Sequence, residues 1–381
     1  MKKIIYISFA RLTDRVLCDY HIDYLIEKGM SVEYWDIVPM VFKENSDAGM
    51  KTTDYLRILR SFNELESMLR LPENNEALYI TKIGCIGRFT KIFRMLTKYD
   101  CRVVYLAVGA RPDLVRPVWW KVLNHLCNPL RLSKMICDIV KVRLYRKLKL
   151  VKPFDIIFAA GSVMMSNDRY AAKVVPINLV DYDNYVRAGF KTGKIVSGSY
   201  AVYLDTYMPY HNDNQILGRK AVNSQRYYQS LNNFFSLLEK EYGVKVVIAA
   251  HPTAEYGAEV FGGRETYRLL TAELVKDADF VLADCSTSVS YAVLNKKPII
   301  FIYTDEMLAL YKETIMRLLK ALSSYLGSPV YNIDKITRGQ QIMVKDINIK
   351  CYEEYKYKYL TTPESEHTTT QEILLREINA N

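Results

Sequence analysis

The stretch "VVIAAHPTAEYG", residues 246–257, is an apolar run of buried-strand type that stops on His251-Pro252. An imidazole can hydrogen-bond a phosphate or a nucleotide, and the proline stiffens the exit and disfavours helical geometry at His251. Further on, "DFVLADCSTS" ends a second apolar run in Ser286, Thr287 and Ser288, directly before a helical pattern. Hydroxyls at a helix start cap its free N–H groups, and those groups with the helix dipole attract an anion. Capping accounts for one hydroxyl; three in a row beside the mouth of a neighbouring strand point to a phosphate cradle. Arg264 follows two glycines in "FGGRET", where a guanidinium can reach a phosphate bidentately. The plainer alternatives are a His251 that satisfies loop backbone groups and an Arg264 that stays on the surface.

These residues need strands to carry them. "KIIYISF" (3–9), "SVEYWDI" (31–37), "ALYITKI" (77–83), "RVVYLAV" (102–108), "FDIIFAA" (154–160) and "KVVPINLV" (173–180) read as strands, with helical patterns between most of them. The first such helix, 13–29, has Thr13 as N-cap and Gly29 as its stop. The pattern then restarts: strand 199–205, helix 224–243, strand 244–250, helix 266–278, strand 279–284, helix 286–296, strand 298–304. Apolar strands alternating with helices specify parallel sheets covered on both faces. The expected architecture is α/β, with two doubly wound Rossmann-type domains facing a cleft. The first spans 1–190 and the second 199–350, joined by a Gly-rich linker over 186–198. Residues 351–381 read as a tail with a disorder-like stretch and a short final helix. In such sheets, ligands bind beyond the carboxyl ends of strands.

The chain has 381 residues, 50% of them hydrophobic, and a formal net charge of +10. Its length favours two domains. No run of about 20 uninterrupted apolar residues predicts a membrane-spanning helix. The apolar start, Ile4–Ala10, reads as a first strand rather than a signal peptide, which predicts a cytoplasmic protein. Seven cysteines without CxxC spacing predict reduced, mostly buried thiols and no structural zinc. Between Arg116 and Lys152 there are ten Lys/Arg and one acid, Asp138, so this segment carries +9 of the +10. It also holds Trp119, Trp120 and a series of Leu, Ile and Val residues. That mixture suits an anionic membrane surface, at the inner face of the cytoplasmic membrane. A solvated helix pair covering the core is the alternative. No nucleic-acid motif accompanies the basic stretch, so no nucleic-acid partner is expected. Walker A, GxGxxG, HExxH and GxSxG patterns are missing, which removes the classes that depend on them.

The series "AAHPTAEY" and "DFVLADCSTSVSYAVLNKKPIIFIYTDE" resembles the C-terminal half of bacterial GT-B glycosyltransferases that use cytidine-activated donors, over roughly 199–306. The resemblance is to the sialyltransferase, polysialyltransferase and Kdo-transferase group of capsule and lipopolysaccharide synthesis. It implies that His251 and Pro252 contact the CMP portion and that Ser286, Thr287 and Ser288 hold its phosphate. It also implies transfer of a sugar acid from a CMP-linked donor to a glycan or lipid-linked acceptor, without a metal or a resident cofactor. One departure stands out: the acidic Asp/Glu-Asp-Gly tripeptide that supplies the base in the sialyltransferases is missing. Candidate bases are therefore argued from position: Asp14, Asp113, Asp181 and Asp183, each after a predicted strand. Each can equally be a cap or turn residue. A further stretch, "YLDTYMPYHND", resembles teichoic-acid polymerases that transfer glycerol phosphate from CDP-glycerol. Its Asp205, His211 and Asp213 are a weak metal set, and no metal is expected. A non-catalytic nucleotide-sugar-binding subunit is the reading from outside the enzymes.

Overall fold

The computed structural model describes residues 2–41, 50–112, 129–166, 170–211, 220–257, 259–312, 314–337 and 340–380. Asp113, Asp213, Cys127 and residues 116–128 of the basic segment lie outside the described residues. The chain forms two compact units. Unit 1 comprises Met1–Ala110, Val115–Asn178 and Thr361–Asn381, and unit 2 comprises Arg111–Leu114 and Leu179–Leu360.

Unit 1 holds a seven-stranded sheet of β1 (Lys3–Ser8), β2 (Ser31–Asp36), β3 (Leu56–Ile58), β4 (Leu78–Thr81), β5 (Arg102–Ala107), β6 (Phe154–Ala160) and β7 (Ala171–Ile177). Its order is β3-β2-β1-β4-β5-β6-β7, and every pairing is parallel. Strands such as "KIIYIS" are apolar on both faces because helices cover both sides of the sheet. Pro176 is tolerated because β7 is an edge strand, where a missing N–H breaks no second ladder. Its helices include α1 (Asp14–Asp19), α2 (Ile22–Glu27), α3 (Phe62–Leu69), α4 (Thr90–Lys98) and α5 (Pro129–Lys147).

The single helix expected over 13–29 is two helices. The buried Tyr6 hydroxyl donates to the Tyr20 carbonyl at 2.8 Å, taking the acceptor a continuous helix would use. The chain turns there through His21 at φ 53°, in the left-handed region.

Unit 2 holds a six-stranded sheet of β8 (Tyr200–Leu204), β9 (Lys245–Ala250), β10 (Thr266–Arg268), β11 (Phe280–Ala283), β12 (Ile299–Tyr303) and β13 (Val330–Asn332). Its order is β10-β9-β8-β11-β12-β13, again with parallel pairings throughout. Its helices include α6 (Val180–Gly189), α7 (Ser224–Tyr242), α8 (Thr271–Asp277) and α9 (Val289–Leu294). Asn223 caps α7 by accepting the Arg226 N–H at 3.0 Å, and Gly243 closes it at φ 62°. Residues 266–268, expected as helix, instead add the edge strand β10 beside β9; α8 begins only at Thr271, after Leu269 at φ 64°. The start of the expected linker belongs to α6.

The two doubly wound parallel units expected from the alternation are present. The disorder-like stretch is not: Thr361, Thr362 and Ser365 are buried, and α10 (Thr370–Ala380) belongs to unit 1. Asn178 anchors this return. Its side chain accepts from the Thr361 hydroxyl at 2.6 Å and donates to the Thr368 carbonyl at 2.9 Å, and its N–H reaches the Thr370 hydroxyl at 3.0 Å. Among the described cysteines, Cys85 and Cys101 are buried while Cys18 and Cys137 are exposed. Among the described residues no helix is long and apolar enough to cross a membrane.

Asn178→Ala removes the donor to the Thr368 carbonyl and leaves the buried Thr361 hydroxyl only its contacts with Thr362 and Ser365 at 3.3 Å. It is expected to lower unfolding free energy by about 1–3 kcal/mol, measured by urea titration.

Candidate functional site

The sheet of unit 2 reverses its winding between β8 and β11. The chain runs β8, β9, β10 to one side, then returns to place β11 on the other side of β8. The loops leave a crevice at such a switch point, at the carboxyl ends of the strands. Leu204 of β8 pairs with Ala283 of β11 and with Ala249 of β9, so Asp205, Asp284 and His251 emerge side by side or one residue on. His251 and Ser286 leave strands two spacings apart, roughly 10 Å.

Asp205 is buried at the end of β8. Its Oδ1 accepts the Tyr207 N–H at 2.9 Å, and its Oδ2 accepts the His251 N–H at 2.9 Å and the Tyr256 hydroxyl at 2.5 Å. Burial pushes its carboxyl upward, and these three donors work against that shift. Tyr207 sits at φ 53°, a left-handed conformation that aims its N–H at the carboxylate.

The backbone of His251 is therefore fixed by a buried charge. Its ring is fixed locally: the Thr253 N–H donates to Nδ1 at 3.3 Å, and the Thr253 hydroxyl lies 2.9 Å from the same nitrogen. A backbone N–H can only donate, so Nδ1 is the acceptor and the neutral ring carries its proton on Nε2. The ring lies nearly parallel to Tyr207, centroids 6.3 Å apart, and against His211 at 5.5 Å. Pro252 follows in the turn, half-buried.

Asp284 is the residue that sequence reasoning missed. It ends β11, immediately before Cys285 and the hydroxyl cluster, and is almost fully buried. Its Oδ2 accepts from the Thr206 hydroxyl at 2.7 Å and the Tyr227 hydroxyl at 3.3 Å, while Oδ1 has no partner among the described residues. Burial, reinforced by the neighbouring Asp205 charge, pushes its carboxyl up to about 7. The available signal was an acid closing an apolar strand directly before three hydroxyls.

The hydroxyl cluster forms the turn that opens α9. Ser286 is buried and accepts the Ser288 N–H at 3.3 Å; Thr287 is exposed; Ser288 is the N-cap residue. The Ser290 hydroxyl bridges the Thr287 carbonyl and the Asp181 carboxylate.

Arg264 receives a different role from the one expected. Its Nε and Nη2 grip Glu239 of α7 at 2.9 and 2.7 Å, and its remaining N–H groups donate to Asn232, Phe261 and Ser236 at 2.9–3.0 Å. All five donors are committed, so the guanidinium clamps the loop after His251 to α7 rather than offering itself to a phosphate. The candidate bases divide as well. Asp14 opens α1 on the surface of unit 1, paired with Lys51. Asp181 and Asp183 lie in the first turn of α6, in unit 2, where Asp181 holds Ser290 and Asp183 is buried. Among the described residues no group of three or more His, Cys, Asp or Glu is arranged to hold a metal.

A scan against protein-family models finds no match, and neither does a comparison with curated proteins. Solved structures similar over the whole chain include the UDP-GlcNAc 2-epimerase of Methanocaldococcus jannaschii in complex with UDP-GlcNAc and UDP, at 13% identity and TM-score 0.48, covering all of both chains. Others are a variant of the wall teichoic acid polymerase TagF (11%, TM-score 0.49, all of this chain and 89% of that one) and a calicheamicin glycosyltransferase (10%, TM-score 0.49, all of this chain and 94% of that one). At these scores the chemistry has to be argued from the residues of this chain.

Two outcomes follow for this site. Arg264→Ala should cost about 2–3 kcal/mol of stability, because it strips a half-buried carboxylate of its partner; nucleotide affinity should stay within about two-fold, measured by denaturant titration and calorimetry. Asp284 binds a proton in the folded state that it has already lost in the unfolded chain, where its pKa is about 3.9. Its contribution to stability therefore falls as pH rises from about 4 towards 7, by up to about 1.4 kcal/mol per pH unit. Asp284→Asn removes that dependence. The melting temperature of the variant relative to the parent should climb across this window and level off above it.

Proposed function

We propose that the chain is a glycosyltransferase of bacterial surface polysaccharide synthesis that binds its nucleotide-activated donor at the strand ends of unit 2. The donor in this reading is a CMP-linked sugar acid of the sialic acid or Kdo type. The acceptor is a glycan or lipid-linked glycan. The observation that carries the reading is the placement of His251, with Nε2 as its protonated nitrogen, and the Ser286–Ser288 turn on two strands flanking β8. The resemblance of "AAHPTAEY" and "DFVLADCSTS" to cytidine-dependent enzymes supplies the nucleotide and the transferred group.

The chemistry is the departure of a phosphate-bearing leaving group. As the bond from the sugar's anomeric carbon to the phosphate oxygen breaks, negative charge grows on CMP. The Nε2–H of His251 and the hydroxyls of Thr287 and Ser288 would stabilise that charge without reorganising, since their backbone is fixed beforehand. Asp205 is a positioning residue in this scheme, acting through the His251 N–H. The acceptor hydroxyl attacks the anomeric carbon and loses its proton to a general base.

One observation favours a second reading, glycerophosphate transfer from CDP-glycerol. His211 and His251 lie with ring centroids 5.5 Å apart, which suits a pair of imidazoles on one phosphoryl group.

The test is thermal shift of the purified chain with CMP, CDP, UDP, GDP and ADP, followed by turnover of CMP-sugars and CDP-glycerol. A ligand at about 100 times its Kd stabilises by about 2.7 kcal/mol. Selective stabilisation by CMP or CDP, lost in His251→Ala and kept in Arg264→Ala, is expected. Turnover by His251→Ala should fall by about 10²–10³. A response to UDP alone would discard the cytidine donor. No response to any nucleotide would leave the transferase reading without support.

A further inference from the structure

We propose that the outward face of α5 is a docking surface for an anionic lipid bilayer. The helix packs on unit 1 through Val142 and Tyr145, which join its hydrophobic core, with the Arg94 guanidinium over the Tyr145 ring at 4.9 Å. Arg146 lies over the Tyr170 ring on the same side at 4.1 Å. The opposite side is apolar. Ile136, Val140, Leu144 and Leu148 recur every fourth residue, and with Ile139 they are each 43–57% exposed. At 100° per residue the first four sweep about 120° of one face. Lys141 borders this stripe at one edge and Arg143 at the other, and Lys147 lies within it between Ile136 and Val140, all exposed. The single acid of the helix, Asp138, lies on the packed side against Gly87.

An amphipathic helix ordinarily turns its apolar stripe inward. Here the inward side is satisfied by other residues, and a second apolar stripe points to water. A second copy of the chain would have to bring two basic rims together in a self-complementary interface, where like charges oppose association. A bilayer carrying acidic headgroups satisfies both features, taking the apolar stripe into the acyl boundary and pairing the cations with phosphates. This surface is independent of the donor site, so lipid binding is read without any nucleotide.

The experiment is co-sedimentation of the full chain with vesicles of phosphatidylcholine alone, or with about 30% phosphatidylglycerol, at about 0.1 M and 0.5 M salt. Two variants accompany it: Val140→Asp/Leu144→Asp and Lys141→Gln/Arg143→Gln/Lys147→Gln. The parent chain should bind the anionic vesicles only, and release as salt rises. Removing three cations, each worth about five-fold near the surface, should weaken partitioning about a hundred-fold. The aspartate variant should lose it with its melting temperature unchanged, because the substituted side chains are exposed. No sedimentation with anionic vesicles, or equal sedimentation with neutral ones, overturns the proposal. A dimer that the aspartate substitutions dissociate, with vesicle binding intact, assigns the face to a second copy instead.

Discussion

The geometry of unit 2 depends on one buried charge. Asp205 closes the central strand of its sheet in a place where water is excluded, and a carboxylate there is costly without donors. Three groups meet that need, one from the β8 loop and two from the β9 loop: the N–H of Tyr207, the N–H of His251 and the hydroxyl of Tyr256. Satisfying the charge therefore sets the path of both the β8 loop and the β9 loop. The left-handed backbone at Tyr207 costs of order 1–3 kcal/mol, and the hydrogen bond to a charged oxygen offsets it. At the far end of the β9 loop, Arg264 grips Glu239 and ties the chain to α7. The His251 loop is thus held at both ends by charged groups, and between them by Ala254 and Phe261, which are buried.

Two acids stand side by side at the switch point, and their surroundings treat them differently. Asp205 receives three donors, two of them backbone N–H groups that cannot turn away. Asp284 receives two hydroxyls on a single oxygen and leaves the other without a partner among the described residues. Hydroxyls can rotate and accept as well as donate, so they tolerate a protonated carboxyl where an N–H does not. The proton is therefore kept more readily on Asp284, whose carboxyl is pushed up to about 7. Environment separates the pair, as it does wherever like charges share a dry site.

What the sequence made legible follows from range. Period and apolar runs are local, so the alternation of strands and helices and the two parallel sheets could be read directly. So could the strand-end placement of His251 and the hydroxyl cluster, because a polar residue ending an apolar run is also a local signal. The role of Arg264 was not legible, since its partner Glu239 lies a full strand earlier on α7. Neither was the break at His21, which a hydroxyl from Tyr6 of β1 imposes. Residues 361–381 look polar and loose, yet Asn178 supplies partners for Thr361, Thr368 and Thr370, and the segment is ordered by a residue nearly two hundred positions away. Asp284 was hidden differently: it reads as the last letter of a strand, and only the register with β8 sets it beside Asp205.

That register has a consequence for any anion at the switch point. Two ionised carboxylates beneath a phosphate would repel it strongly in a low dielectric. The donors on Asp205 and the raised carboxyl of Asp284 reduce that field, and they do so from below, on the side of the sheet. The same strand ends also carry donors: the Nε2–H of His251 and the hydroxyls opening α9. On this argument the buried acids and the donors at the same strand ends are one arrangement. Burying Asp205 is what fixes His251 in a position to donate.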